Sequence, residues 1–155
     1  MVAIWRGEPC CEPIAQRRLR VGDFEMEGIG AGKSIVVVND SPEMLELAEM
    51  LLGAEDFDVK VALIGTGAYD LIRSTMPDLV ILDVRLPDIS GWDILQALKL
   101  DASTVNIPVL VCSAAVQELR ALEPQLARMG IDILIKPFAI DTLLERVHIL
   151  TRTNR

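Results

Sequence analysis

The stretch P-D-L-V-I-L-D-V-R-L-P-D-I-S-G-W, residues 77–92, joins a short apolar run to a turn and to the start of an amphipathic segment. The run at 79–82 is continuous rather than alternating, which is typical of a strand covered on both faces of a parallel sheet. Asp83 ends the strand, and the turn-forming residues Pro87 and Gly91 precede the next segment. The stretch therefore predicts a buried strand, a loop that begins with a carboxylate, and a helix.

Similar apolar runs recur on both sides of this stretch. They lie at residues 35–38, 59–63, 109–112 and 131–135. Helical patterns separate them, beginning at Ser41-Pro42, which reads as an N-cap followed by proline in the first turn. The other predicted helices are 67–75, 92–100, 116–129 and 140–151. Strand–helix alternation repeated five times predicts an α/β fold, an open parallel sheet with helices on both sides.

The chain of 155 residues has room for one ordinary domain and a tail. We expect a flexible N-terminal tail at 1–33, a single domain at 34–152 and a short C-terminal tail at 153–155. Residues 1–33 mix Arg, Glu, Gly and Pro without a sustained period, and no strand is predicted in them. Two alternatives for this segment stay open: it orders on a partner, or it reflects an upstream start codon, with Met26 the alternative start.

Composition excludes several classes of protein. A net charge of −8 argues against a general nucleic-acid surface, and no apolar run approaches the ~20 residues of a membrane span. Cys10, Cys11 and Cys112 have no metal-ligand spacing, and His148 is the single histidine. With no signal-peptide pattern at the N-terminus, these features favour a reduced, cytoplasmic protein.

The glycine-rich stretch G-I-G-A-G-K-S, residues 28–34, raises the alternative of a nucleotide-binding loop. A phosphate-binding P-loop needs glycine six residues before its lysine, and that position is Glu27. Such a loop also leaves a strand and opens a helix, whereas this one leads into a strand. We therefore interpret the glycines as a linker and expect no nucleotide cofactor.

Polar residues follow the predicted strands where each strand ends: Asn39-Asp40, Asp83, Ser113 and Lys136. In open α/β sheets the functional crevice lies beyond the carboxyl ends of the strands. Each residue alone has an ordinary explanation, such as helix capping, a strand-end turn or a solvated lysine. Together they form a set suited to phosphoryl chemistry, in which carboxylates bind a hard cation and hydroxyl and ammonium groups contact phosphate oxygens.

The segment from 34 to about 151 resembles a response-regulator receiver domain of two-component signalling. Four motifs carry the resemblance, and they span nearly all of the regular part of the chain. They are V-V-V-N-D-S-P, P-D-L-V-I-L-D-V-R-L-P-D-I-S-G-W, I-P-V-L-V-C-S-A-A and I-L-I-K-P-F. The resemblance implies a flavodoxin-like (βα)5 fold with strand order 2-1-3-4-5.

The resemblance also implies a Mg²⁺ site. Asp40 would be a direct ligand, together with the carboxylate of Asp83 and the backbone carbonyl of Arg85. Asn39, which occupies the position of a second acid, would reach the metal through water.

Phosphoryl-group contacts follow from the same resemblance. Asp83 would be the phosphoacceptor, Ser113 would hydrogen-bond the phosphoryl group, and Lys136 would pair with its charge. The Lys136-Pro137 peptide bond would be cis.

Three residues depart from the family pattern. Asn39 removes one negative charge, so Mg²⁺ should bind more weakly. Ile133 stands three residues before Lys136, where the family usually has an aromatic switch residue. Pro124 lies inside the predicted fourth helix, which we therefore expect to be interrupted or bent there, with Glu123 pushed toward an extended conformation.

The sequence thus predicts a stand-alone receiver that accepts a phosphoryl group from a histidine kinase or a phosphotransfer protein. It would relay the group or switch binding to a downstream protein, as a monomer or weak homodimer, without being an enzyme that turns over a separate substrate. The departures keep open a receiver-like interaction module that no longer needs phosphorylation. A nucleotide or flavin binder is the third and least supported alternative.

Overall fold

The computed structural model describes residues 19–21, 24–26 and 32–153. Its strands are β1 (Leu19–Val21), β2 (Phe24–Met26), β3 (Ser34–Val38), β4 (Asp58–Ala62), β5 (Leu79–Asp83), β6 (Val109–Ser113) and β7 (Ile131–Ile135). Its helices are α1 (Pro42–Gly53), α2 (Ala68–Thr75), α3 (Gly91–Leu100), α4 (Val116–Arg128) and α5 (Ile140–Thr153). The predicted strands and helices all form.

Five parallel strands make one sheet in the order β4-β3-β5-β6-β7. Counted from β3, this is the predicted order 2-1-3-4-5, so the flavodoxin-like fold is confirmed. Val38 pairs with Leu82, and Asp83 pairs with Cys112. The carboxyl ends of β3, β5 and β6 therefore meet at one edge of the sheet.

The core lies on both faces of this sheet. On β3, Val36 and Val38 contribute to a hydrophobic cluster that also contains residues of α2, α3 and α4. Ile35 and Val37, which point the other way, contribute to a second cluster with residues of α1 and α5. Every residue of β5 and β6 is buried. Burial on both faces explains why the central runs are continuous rather than alternating.

The start of α1 follows the sequence signal. Ser41 has an extended backbone, its Oγ accepts a hydrogen bond from the Met44 amide at 3.3 Å, and Pro42 is the first helical residue. The predicted N-cap is confirmed, and it fixes the direction in which the chain leaves the end of β3.

The predicted interruption of α4 at Pro124 is wrong. The helix continues from Val116 to Arg128 with Pro124 inside it, and Glu123 is helical rather than extended. Proline in a helix interior costs roughly 3 kcal/mol. Leu119 and Leu126, one before and one after the proline, are both buried in the core, and burying such side chains stabilises by about 1.5–3 kcal/mol each. Packing against the sheet therefore outweighs the local penalty.

The expectation that no strand precedes the glycine-rich stretch is also wrong. β1 and β2 pair antiparallel, with Leu19 opposite Met26. Most of the predicted tail, and residues 28–31 of the glycine-rich stretch, lie outside the described residues, so tail flexibility stays a prediction. Lys33 is described: its Nζ donates to the carbonyl of Thr151 at 2.5 Å. Lys33 therefore has a structural role: its charge lies at the C-terminal end of α5, where cations are favoured.

Within the described part of the chain, no helix combines the length and apolarity needed to cross a membrane.

Candidate functional site

Asp83 lies at the centre of the carboxyl edge of the sheet. It is the last residue of β5 and is buried. Its Oδ2 lies 2.9 Å from Nζ of Lys136, and its Oδ1 accepts a hydrogen bond from the backbone amide of Arg85 at 3.1 Å. Both carboxylate oxygens are therefore oriented by donors, one of which carries a full positive charge.

Lys136 reaches Asp83 from the end of β7, two strands away. Its backbone amide donates to the carbonyl of Ser113 at 2.9 Å, which extends the β6–β7 pairing by one residue. The Lys136-Pro137 peptide bond is cis, as predicted. The side chain of Lys136 is 28% exposed against 7% for Asp83, so the ammonium group borders solvent while the carboxylate is enclosed.

Ser113 is the last residue of β6 and is 2% exposed. Its Oγ accepts a hydrogen bond from the Ala115 amide at 3.1 Å, which shapes the turn into α4. Because the oxygen acts as an acceptor here, the hydroxyl proton remains for donation to another group. Cys112, one residue before Ser113, pairs with Asp83. Ser113 therefore lies one residue beyond the level of Asp83 at the edge of the sheet.

Asn39 and Asp40 follow β3 and differ in their surroundings. Asn39 is 6% exposed, and its Oδ1 accepts from the Ser41 amide at 2.9 Å. Asp40 is exposed. Since Val38 pairs with Leu82, Asn39 lies beside Asp83 and Asp40 lies one residue farther out. The structure thus brings all the predicted strand-end residues to one edge.

The donors at this edge fit a hard divalent cation. Carboxylates of Asp40 and Asp83 and the carbonyl of Arg85 are oxygen ligands of the kind that Mg²⁺ prefers. The amide oxygen of Asn39 accepts a hydrogen bond from the Ser41 amide, and its contact with the metal through water stays a prediction. Among the described residues, no group of three or more His, Cys, Asp or Glu side chains is arranged to hold a metal. A cation would therefore depend on two carboxylates, a backbone carbonyl and water.

Gly91 has a role that its turn-forming character alone does not reveal. Its amide donates to the Val84 carbonyl at 2.8 Å, which closes the loop after β5. A Cβ on residue 91 would lie 2.3 Å from the carbonyl oxygen of Asp83 and 2.7 Å from Cα of Val84. Only glycine lets α3 start this close to the strand that carries Asp83.

Asp88 is a further residue of this edge, and the sequence identified it only as part of a turn. Its Oδ1 accepts from the Gly65 amide at 2.8 Å, and its Oδ2 accepts from the Thr66 amide at 2.6 Å and from the Thr66 hydroxyl. The Thr66 hydroxyl and the two amides hold the pKa of Asp88 well below its usual range. Glycine-rich G-T-G at residues 65–67 was the available signal, but nothing in the sequence pairs it with residue 88.

Cys112 and Ile133 lie near the strand-end residues but contribute no polar group to the candidate site. Burial raises the pKa of the Cys112 thiol to about 12, so it stays protonated and unreactive. Ile133, which stands where the family usually has an aromatic residue, is partly buried. It packs against the hydrophobic cluster that contains Val36, Val38 and residues of α2, α3 and α4. Next to it, Asp132 accepts two hydrogen bonds from Nη1 of Arg146, both at 2.6 Å.

Among curated proteins, the chain is similar to bacterial regulatory proteins. The chain is 35% identical over 126 residues to the probable transcriptional regulatory protein TcrX of Mycobacterium tuberculosis, which covers 79% of this chain and 51% of that protein. It is 29% identical over 124 residues to the cell cycle response regulator CtrA of Brucella ovis, which covers 78% of this chain and 51% of that protein. The chain spans about half the length of these curated relatives.

Solved structures agree with the curated relatives. The receiver domain of the Francisella response regulator 1452 superposes with a TM-score of 0.70 at 27% identity, over 80% of this chain and 100% of that one. The sequence also matches the response regulator receiver domain family over residues 35–148. The matched range contains every strand-end residue described above, and the chain belongs to the response regulator receiver domain family.

Proposed function

We propose that this receiver accepts a phosphoryl group on Asp83 from a phosphohistidine of a histidine kinase or a phosphotransfer protein. The observation that carries the proposal is the buried carboxylate of Asp83 held 2.9 Å from the Lys136 ammonium group at the carboxyl edge of the sheet. Family membership supports this assignment, and the roles of individual residues rest on their geometry.

In the proposed reaction a carboxylate oxygen of Asp83 attacks the phosphorus atom. An O–P bond forms, the P–N bond of the donor breaks, and its electron pair returns to the imidazole, which takes up a proton. Lys136 and the hydroxyl of Ser113 offset charge on the transferring group. Asp40, Asp83 and the Arg85 carbonyl would hold Mg²⁺, which supplies further positive charge beside the phosphoryl oxygens.

The phosphorylated state would differ most at the turn after β6. Phosphorylation adds negative charge and acceptor oxygens at Asp83. Ser113 can donate to these oxygens, and its Oγ also holds the Ala115 amide. A change in the Ser113 hydrogen bonds therefore bears directly on the start of α4. With Ile133 in place of an aromatic side chain, we expect the movement to centre on this turn and on α4.

An apolar groove beside Lys136 supports docking of a phosphodonor helix. The groove has a volume of about 480 Å³. One wall consists of α1 side chains, and the other is the segment that follows β7. The apolar lining includes Met44, Leu47, Leu51, Pro137, Phe138 and Leu143. Amphipathic helices bind such grooves through their apolar faces. A helix bound there would lie beside Lys136, which lines the groove and pairs with Asp83.

Incubation with acetyl phosphate and Mg²⁺, followed by intact mass, tests the proposal. The unaltered protein should gain the mass of one phosphoryl group, and Asp83→Asn, which keeps the shape but lacks the nucleophile, should not. No gain in the unaltered protein, or an equal gain in Asp83→Asn, would reject the assignment.

A second candidate is a receiver that binds its partner without phosphorylation. It is favoured by Asn39, which removes a charge from the cation site, and by Ile133, which removes the aromatic switch. Under this alternative Asp83→Asn would bind the partner as the unaltered protein does. Either way we propose a signalling protein rather than an enzyme with a separate substrate.

A further inference from the structure

We propose that Asp88 is a positioning residue that fixes the shape of the acceptor loop, residues 84–90, by fastening it to the loop between β4 and α2. The inference rests on the proposed function, since it concerns how the groups around Asp83 are held. Asp88 itself does not touch the reacting atoms.

The hydrogen bonds of Asp88 cross between two loops that are distant in sequence. Gly65 and Thr66 lie 23 and 22 residues before it. Both carboxylate oxygens are used: Oδ1 by the Gly65 amide at 2.8 Å, and Oδ2 by the amide and the hydroxyl of Thr66, the amide at 2.6 Å. Hydrogen bonds to a charged acceptor are about twice as strong as neutral ones.

Steric contact reinforces the same junction. A Cβ on Gly65 would lie 2.5 Å from Cγ1 of Ile89 and 3.2 Å from Oδ1 of Asp88. The backbone at residue 65 therefore packs directly against the acceptor loop. Glycine at this position allows the approach, and the carboxylate of Asp88 determines which part of the loop is held.

The acceptor loop is also closed on itself, so a displacement at residue 88 is passed along it. The Gly91 amide bonds to the Val84 carbonyl at 2.8 Å, which joins the two ends of the loop. Between them, the Arg85 amide donates to Asp83 Oδ1 at 3.1 Å. Arg85 offers its amide to the phosphoacceptor and its carbonyl to the proposed cation, and Asp88 lies three residues beyond it.

The hydrogen bonds of Asp88 to Gly65 and Thr66 do not depend on pH near neutrality. The Thr66 hydroxyl, with the Gly65 and Thr66 amides, keeps the pKa of Asp88 well below its usual range. The side chain is therefore ionised wherever the protein is folded near neutral pH. Changing it is a change of loop geometry and not of protonation state.

Partners in the outer shell of a metal site typically contribute 10–100-fold to metal affinity. Because Asp88 lies three residues beyond Arg85 and acts through the loop, we expect the low end, a loss of about tenfold in Mg²⁺ affinity for Asp88→Asn. Asparagine keeps the size of the side chain but presents NH2 in place of one acceptor oxygen, so it cannot satisfy Gly65 and Thr66 together.

The test is a Mg²⁺ titration of the full-length chain followed by amide resonances, with amide hydrogen exchange at Arg85 measured in the absence of metal. Asp88→Asn should weaken Mg²⁺ binding about tenfold and speed exchange at Arg85. Thr66→Val, which removes only the hydroxyl, should have the same effects to a smaller degree, and Thr66→Ser should restore both values.

Asp101→Asn is the matched control. Asp101 also accepts hydrogen bonds from a backbone amide and from hydroxyl groups, but it lies at the opposite end of α3. Its variant should lower the melting temperature without changing Mg²⁺ affinity or Arg85 exchange.

Two results overturn the inference. One is an unchanged exchange rate at Arg85 in Asp88→Asn. The other is a change in Arg85 exchange of the same size in Asp101→Asn, since that would reduce Asp88 to a general contribution to stability. If the unaltered protein neither binds Mg²⁺ nor accepts a phosphoryl group, the proposed function fails. The exchange rate at Arg85 in metal-free protein still decides the role of Asp88.

Discussion

The two ends of the sheet use the same kinds of polar residue to different effect. At the amino end, Lys99 donates to the carbonyls of Val105 and Ile107, both at 3.0 Å, and Asp101 accepts from the Tyr69 hydroxyl at 2.5 Å. Lys99 thus bonds to backbone that follows α3, and Asp101 also accepts from the amide and hydroxyl of Ser103 in the same loop. Together these bonds hold the loop after α3 and fasten it to α2.

At the carboxyl end, the corresponding groups come from separate strands and converge at one edge of the sheet. Lys136 pairs with Asp83, a carboxylate on another strand. Asp40 is exposed beside that pair, and the hydroxyl of Ser113 retains a proton to donate. The two ends therefore differ in how the polar groups are used. Groups that bond to neighbouring loops and helices stabilise the fold, whereas charged groups from separate strands that converge can act on a ligand.

Exchanging each lysine for glutamine should separate these two roles most clearly. Lys136→Gln removes the charge that faces Asp83, and removing one stabilising donor from a reaction site slows it roughly 100–1000-fold. We therefore expect phosphoryl transfer from acetyl phosphate to Asp83 to fall by about 100-fold, measured as the rate of phosphoprotein formation.

Lys99→Gln is the control, because its ammonium group is half-buried against carbonyls only. Burial lowers the pKa of Lys99, because its ammonium group is partly removed from water. The variant should react at the unaltered rate. Equal slowing in both variants would mean that the lysines differ in position but not in role.

Two glycines extend the comparison to the backbone. Gly91→Ala places a Cβ 2.3 Å from a backbone oxygen of Asp83. Overpacking of this kind costs about 1–3 kcal/mol or more, so urea denaturation should show a loss of unfolding free energy near the upper end.

Gly53 lies in the last turn of α1, where an added Cβ meets nothing within 4 Å. Gly53→Ala should stabilise the protein by about 0.5–1 kcal/mol, because alanine loses less conformational entropy in a helix. If Gly91→Ala does not destabilise the protein, the close approach at Gly91 does not exist in solution. If Gly53→Ala destabilises it, the helix end at Gly53 is not as open as the structure has it.

Most of the fold could be predicted because central strands covered on both faces leave continuous apolar runs. The run at 79–82 and the acid after it placed Asp83 correctly at a strand end, since parallel strands all end at one edge. Asp88 could not be assigned in this way, because its partners Gly65 and Thr66 belong to another loop. Pro124 shows the opposite limit: a strong local signal was overridden by burial of the side chains around it.

Magnesium binding tests whether the carboxyl end holds a cation with only two carboxylates. If the dissociation constant is about 1 mM, roughly 10 mM Mg²⁺ should raise the unfolding free energy by about 1.4 kcal/mol. Asp40→Ala should abolish the resulting rise in melting temperature, whereas Asp101→Asn should keep it. A rise that persists in Asp40→Ala would place the cation elsewhere.

The smallest expected effect concerns acid and the amino end of the sheet. Hydrogen bonds from the Tyr69 hydroxyl and from the amide and hydroxyl of Ser103 lower the pKa of Asp101 to about 2 from 3.8. A carboxyl whose pKa is lower in the folded state adds stability that is complete above about pH 4 and is lost as the pH falls toward 2. Asp101→Asn should therefore lower the unfolding free energy at pH 6 and make it fall less steeply between pH 4 and 2, as measured by urea denaturation at each pH. Because Asp88 keeps its own lowered pKa in this variant, part of the acid dependence should remain. Two results would contradict the assignment of two separate carboxylate networks at the two ends of the sheet. In one, the unfolding free energy of Asp101→Asn no longer depends on pH between 4 and 2; in the other, its pH dependence equals that of the unaltered protein.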